Sequence, residues 1–267
     1  MNINNLNNLT KKIRRDILEM TYAVEGSHVG CSLDIVEILI ALYFNVLHIN
    51  PKKPYLTQRD KFILSKGHAC TALYAVLAER GFFPRSKLKQ YASDGSNIAA
   101  HVTLGSLPGI EATAGSLGHG LPMGAGMALA AKHKKLKSKV YVLTGDGECM
   151  EGSIWEAILF SSHYKLDNLT LIIDNNDLIT LGKISEITNL YPFDKKLESF
   201  GWATVTVNGH NINDIISALK SPHPGKPMAI IAKTIKGKGI SYMENKLEWH
   251  GKCPTKEQYE LALNELT

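Results

Sequence analysis

Val140-Tyr-Val-Leu-Thr144 runs into Gly145-Asp146-Gly147-Glu148, and Leu169-Thr-Leu-Ile-Ile173 runs into Asp174-Asn175-Asn176 about thirty residues after the first acidic turn. Two apolar runs of this length, separated by an apolar segment that opens at Glu151, read as strand, helix, strand. The polar turns then fall at the carboxyl ends of neighbouring parallel strands, where open α/β sheets bind ligands. Asp146 offers a hard oxygen and Asn176 a second. With backbone carbonyls or water they can complete an octahedral Mg²⁺ site against a diphosphate. The glycines let the main chain approach phosphate oxygens.

The flanking segments extend this pattern over the whole chain. Apolar residues recur at helical spacing from Leu6 to Val24, and a second apolar helix is expected through Leu33–Phe44. Asp60–Leu64 reads as a strand, with Ser65-Lys-Gly-His68 as the turn before a helix over 69–80. A Gly- and Ser-rich passage from Ser93 to Gly120 is long for a plain connector, and such loops are commonly functional. Leu121–His133 is a helix of small residues suited to close packing on a sheet. Strands at Ala203–Val207 and Met228–Thr234 flank a helix over Ile212–Leu219, and a last helix spans Thr255–Leu266. Alternating strands and helices, several strands apolar throughout, define α/β: a doubly wound, mostly parallel sheet with helices on both faces. No linker or composition break divides residues 1–267, so one domain is expected.

Composition excludes several classes. At 44% hydrophobic and 21% charged, the 267 residues have an ordinary globular profile. A formal charge of +5 is compatible with an anionic ligand but does not argue for nucleic acid. The basic run Lys132–Lys139 has no interleaved aromatics and reads as a solvated helix end. Cys31, Cys70, Cys149 and Cys253 lack CxxC spacing, so neither a disulfide framework nor a zinc site is indicated, and a reducing cytoplasm fits. The polar start, Met1 to Asn8, has no signal core, and no apolar run is expected to span a bilayer.

The paired turns resemble the thiamine-diphosphate signature, GDG followed about thirty residues on by NN. The flanks are similar to those of the transketolase family. Ser65-Lys-Gly-His68 with Ala69–Tyr74 resembles its SKGHA segment, and Leu107-Pro-Gly-Ile-Glu111 with Thr113–Gly118 its LPG…TGSLG segment. Gly145 to Glu151-Gly-Ser-Ile-Trp-Glu156-Ala resembles GDG…EG…WEA. Lys233–Gly239 and Trp249–Lys252 resemble KTxKGKG and WHGK.

What the resemblance implies is specific. The fold would be the diphosphate-binding domain. The pyrimidine-binding and C-terminal domains, with the glutamate that activates the cofactor, would lie on a separate chain. That describes the N-terminal subunit of a split transketolase, assembled as two copies of each subunit. It would transfer a two-carbon ketol unit from a ketose to an aldehyde acceptor using thiamine diphosphate and Mg²⁺, or another divalent cation such as Ca²⁺ or Mn²⁺. Asp146, Asn176 and the carbonyl of Leu178 would hold the metal, and Gly147 would contact the diphosphate. Gly115 and Leu117 would support the aminopyrimidine and thiazolium region, and Glu151 and Glu156 would line the interface beneath the cofactor. His28, His68, His101 and His250 would line the substrate channel, with His68 and His250 also near the cofactor. Sugar-phosphate or related substrates follow; nucleic acid and membrane partners do not.

The sequence departs from the family at two places. Its first loop commonly reads SGHPGGS, and here it reads Ser27-His-Val-Gly-Cys-Ser32. Val102 follows His101 where proline is usual. Losing proline relaxes the backbone beside each histidine. These departures keep open a two-carbon transfer onto an unusual or nucleotide-linked sugar, and a related thiamine-dependent lyase, ligase or decarboxylase. A catalytically silent scaffold is the rival from outside enzymology. His48, His133, His163, His210 and His223 read as packed or surface residues, whereas His119 lies in a turn beside glycine.

Overall fold

The computed structural model describes residues 3–266. Helix α1 spans Ile3–Ala23 and buries Leu9, Ile13, Ile17 and Met20 on one stripe, with Lys11 and Lys12 on the exposed side. The expected single helix from Leu33 to Phe44 is instead three short pieces: α2 (Val29–Leu33), α3 (Val36–Ala41) and a widened turn over Leu42–Val46. The break falls at Asp34 and Ile35, where Asp34 turns its buried carboxylate toward Lys66 and Asn176. Contrary to expectation, Val29–Val46 is long and apolar enough to cross a membrane. Yet 83% of it is buried inside the fold, as core helices of globular proteins are.

Strand β1 (Lys61–Leu64) leads through a tight turn into α4 (Cys70–Arg80). After the long loop come α5 (Gly120–His133), β2 (Val140–Gly145), α6 (Gly152–His163) and β3 (Leu169–Asn175). A two-residue-per-strand hairpin follows, β4 (Leu178–Ile179) and β5 (Gly182–Lys183), then α7 (Ile184–Ile187) and α8 (Phe193–Ser199). The chain closes with β6 (Ala203–Asn208), α9 (Ile212–Lys220), β7 (Met228–Lys233) and α10 (Lys256–Glu265). Thr255 and Gln258 cap α10 reciprocally.

The main sheet runs β1-β2-β3-β7-β6, and every neighbouring pair is parallel. Alternation along the strands divides the core in two. Phe62, Leu64, Tyr141, Leu143, Ile172 and Ile230 pack with α1, α3, α4 and α9. Ile63, Val142, Leu171, Ile173 and Ile231 pack with α5, α6 and α8. Both faces are therefore covered, which is why β3 is buried at every position. Each fully buried aliphatic side chain contributes about 1.5–3 kcal/mol by its removal from water. The small residues of α5 serve a close contact: a Cβ at Gly124 would collide with Val142 Cγ2.

The register pairs Gly145 with Asp174, so the acidic turn after β2 and the Asn turn after β3 emerge side by side. Lys233, at the end of β7, pairs with Asn175. Strand ends thus deliver the acidic turn, the Asn pair and a lysine to one edge of the sheet.

Candidate active site

A cavity of about 350 Å³ opens at these strand ends. The turn after β2 forms its floor. Asp146 Oδ1 accepts from the Gly147 amide at 2.8 Å, and Oδ2 accepts from Asp177 N at 2.6 Å and Asn175 Nδ2 at 3.1 Å. All three donors are neutral. Burial, with Asp174 nearby, pushes the Asp146 carboxyl up to about 6. A buried carboxylate whose hydrogen bonds come only from neutral N–H groups is a fit place for a cation.

The two asparagines diverge. Asn175 turns away, donating to Tyr191 Oη at 2.7 Å and accepting from Lys233 Nζ at 2.5 Å. Asn176 lines the cavity. Its amide nitrogen donates to Asp34 Oδ2 at 2.9 Å and Asp174 Oδ2 at 3.3 Å, which puts Oδ1 on the other side, accepting from Leu178 N at 2.9 Å. The Leu178 carbonyl, also at the cavity, accepts from the buried Lys236 ammonium at 3.0 Å. Asp146, Asn176 and Leu178 therefore present an all-oxygen donor set, the chemistry that suits Mg²⁺ or Ca²⁺.

Behind this set lies a buried charge group. Lys66 Nζ is 2.5 Å from Asp174 Oδ2 and 3.4 Å from Asp34 Oδ1, and all three side chains are buried. The carboxylates outweigh burial and hold the Lys66 ammonium strongly protonated. Burial, reinforced by Asp174, pushes Asp34 upward. Glu148 is buried too. It accepts from Ser65 Oγ, Gly118 N (2.9 Å) and Gly145 N (3.2 Å), tying three chain segments together beneath the cavity.

The glycine at 147 is required by a protein contact: a Cβ there would collide with Ile179 Cγ2. At Gly67 a Cβ would run into the Ala114 carbonyl oxygen, so the turn after β1 is pressed against the long loop. That loop supplies one wall, through His101, Gly115 and Leu117.

Four histidines expected together are found together. His28 lies 5.0 Å from His68, 6.1 Å from His101 and 5.2 Å from His250 between ring centroids, and His68 lies 5.7 Å from His250. They come from the loop before α2, the turn before α4, the long loop and the segment after β7. Burial, with Lys66 and His28 adding to it, holds His68 below the usual imidazole range, and Cys31 only partly opposes this. His101, more exposed, is lowered by burial and by His28. Neutral imidazoles of this kind can accept or relay a proton.

Of the residues singled out in the sequence, Glu151 stands exposed at the cavity's edge, while Glu156 is not brought there. Glu156 is exposed on α6, beside a shallower hollow with Pro122, Ser153 and Phe160. His210 is structural, 3.1 Å from Glu37 and accepting from Ile235 N at 2.8 Å. Sequence reasoning missed Cys31, Asp34, Lys66, Glu148, Asp174 and Lys236. Lys66 and Lys236 sit inside the SKGH and KTIKGKG segments, and Cys31 in the departing loop, so a signal for these three was present.

A doubly wound parallel sheet with an oxygen-lined cavity and four histidines at its strand ends defines an α/β protein with its candidate ligand site where open parallel sheets bind ligands. The family described as "Transketolase, thiamine diphosphate binding domain" matches residues 6–265. The chain is 42% identical to one of the subunits of the apulose-4-phosphate transketolase of Phocaeicola vulgatus, over 100% of this chain and 95% of that protein. It is 41% identical to the 6-deoxy-6-sulfo-D-fructose transketolase subunit SqwG of a Clostridium species, over 95% of this chain and 93% of that one. Among solved structures, the transketolase of Campylobacter jejuni superimposes with a TM-score of 0.93 at 30% identity, covering 100% of this chain and 43% of that one. The chain thus spans about two fifths of the length of such transketolases. This chain belongs to the transketolase family and carries its thiamine-diphosphate-binding domain.

Proposed function

We propose that this chain is the diphosphate- and metal-binding subunit of a two-subunit transketolase that moves a two-carbon ketol unit from a ketose to an aldehyde acceptor. The observation that carries the reading is the convergence of His28, His68, His101 and His250 on the same cavity as the oxygens of Asp146, Asn176 and Leu178. Bound thiamine diphosphate supplies the nucleophilic carbon and the electron sink for cleavage beside the ketose carbonyl. Asp146, Asn176 and the Leu178 carbonyl hold the divalent cation, and the turn at Gly147 faces the diphosphate. Lys236, beside Leu178, adds positive charge toward the same anion. Gly115 and Leu117 would give the aminopyrimidine and thiazolium region an apolar wall. The histidines take and return hydroxyl protons of the sugar and stabilise alkoxide-like charge.

Residues 1–267 act in this reading as one domain, and the activating glutamate comes from the partner chain. The apolar side chains exposed on α6, Leu159 and Phe160 with Tyr164, together with Met150 at the cavity, suit pairing with that partner and with a second copy. Two copies of each chain complete the enzyme. Its four free thiols fit a reducing cytoplasm. Relatives named for apulose-4-phosphate and for a sulfosugar, together with Cys31 on the cavity wall, favour an uncommon sugar phosphate or sulfonate over ordinary pentose phosphates.

The experiment is a ketol-transfer assay of the purified chain, alone and mixed with its candidate partner. Turnover only in the mixture supports the reading, and full turnover by this chain alone overturns it.

A further inference from the structure

The departing loop places a thiol where the family commonly has glycine, and the structure surrounds it with imidazoles. Cys31 Sγ lies 3.5 Å from His250 Nδ1. One ligand atom from each of His28, Cys31 and His250 falls within 4.8 Å of the others. In a tetrahedral zinc site, metal–sulfur and metal–nitrogen bonds of about 2.3 and 2.0 Å set neighbouring ligands about 3.5 Å apart. The cluster therefore needs only small side-chain adjustments to close on an ion.

Backbone contacts fix two of the ligands in register. His28 N donates to the His250 carbonyl at 3.0 Å, and a Cβ at Gly30 would lie 3.0 Å from the Trp249 carbonyl oxygen. His28 itself holds a left-handed conformation, φ 67°, which aims its ring from the start of α2. Its Nδ1 is buried and has no hydrogen-bond partner among the described residues.

From this geometry we propose that His28, Cys31 and His250 form a binding site for a thiophilic divalent metal of the Zn²⁺ class, separate from the all-oxygen site at Asp146. Two nitrogens and a thiolate select Zn²⁺ or Co²⁺ and discriminate against Mg²⁺ and Ca²⁺. The thiol loses its proton to solvent on binding, and the fourth coordination position faces the cavity. The ion occupies two of the channel histidines, so it excludes the sugar and shuts the enzyme reversibly. That consequence rests on the transketolase reading; the site itself does not.

The test is a titration of the full chain with Co²⁺ alone, followed by absorption. One thiolate-bound ion per chain, read from a thiolate-to-cobalt charge-transfer band and tetrahedral ligand-field bands that Zn²⁺ abolishes, is expected. Cys31→Ser should lose the charge-transfer band, and His250→Gln should weaken binding at least tenfold while circular dichroism shows both folded. No charge-transfer band in the parent chain, or a band that survives in Cys31→Ser, overturns the proposal. If Cys31→Ser fails to fold, unchanged Co²⁺ affinity in His250→Gln overturns it equally. Because no turnover is measured, failure here leaves the ketol-transfer reading untouched.

Discussion

Asn176 Nδ2 donates to Asp34 Oδ2 at 2.9 Å, joining the turn after β3 to the break between α2 and α3. The bond orients the amide so that its oxygen, not its nitrogen, belongs to the cation set. Outer partners of this kind typically tune metal affinity by about 10–100-fold. Asp34→Ala should therefore weaken Mg²⁺-dependent thiamine diphosphate binding by about tenfold or more, although Asp34 is not among the proposed ligands. Calorimetry on the assembled enzyme checks this, with thermal melting to show the variant folded; unchanged affinity would count against the assigned orientation.

His101 stands at the far side of the cluster, 6.1 Å from His28, on the loop rather than at the cation set. His101→Ala should lower kcat/KM by about 10²-fold, within the usual range for a positioned proton-transfer group. Cofactor affinity should hold steady beside that loss. Steady-state kinetics with the partner chain, beside a cofactor titration, separates the two. A loss confined to cofactor affinity would move His101 out of the substrate channel.

Asp16 on α1 pairs with Arg85 at 2.5 Å through Oδ1, while Oδ2 is buried without a partner among the described residues. Burial outweighs Arg85 and raises its carboxyl from 3.8 to about 6. The folded state then binds this proton more tightly than the unfolded chain. Its contribution to stability is full below about pH 4 and lost as pH rises through about 6. Relative to Asp16→Asn, the parent should thus lose on the order of 1–3 kcal/mol between about pH 4 and pH 7. Denaturant unfolding of both proteins at the two pH values reads the difference, and a parent that gains on the variant with rising pH contradicts the assignment.

The interval between Asp146 and Asn176 was legible because both turns end strands whose apolar runs are continuous, and one helix fits between them. The long loop stood out by its length and small residues, and it supplies His101, Gly115 and Leu117 to the cavity wall. Local pattern failed at Leu33–Phe44, since nothing in the apolar run foretells that Asp34 will leave the helix to meet Lys66 and Asn176. The short pieces β4, β5, α7 and α8 carry too few residues to show a period. Asp174 and Glu148 escaped because each acquires its meaning from a partner far along the chain, and sequence displays spacing rather than proximity. Lys66 and Lys236, by contrast, lay in matched segments whose signal was not followed. Glu156, in a matched segment, is exposed on α6 outside the cavity lining, where the resemblance expected an interface position rather than a cavity one.

The account depends most on the cation site at the ends of β2 and β3. Titrating thiamine diphosphate into the assembled enzyme with and without Mg²⁺, for the parent and for Asp146→Ala, tests it directly. The account predicts tight binding only with Mg²⁺ in the parent and at least a hundredfold loss in Asp146→Ala, with the variant still folded and still joined to its partner. Equal, Mg²⁺-dependent affinity in both proteins would place the cofactor's cation elsewhere and contradict it.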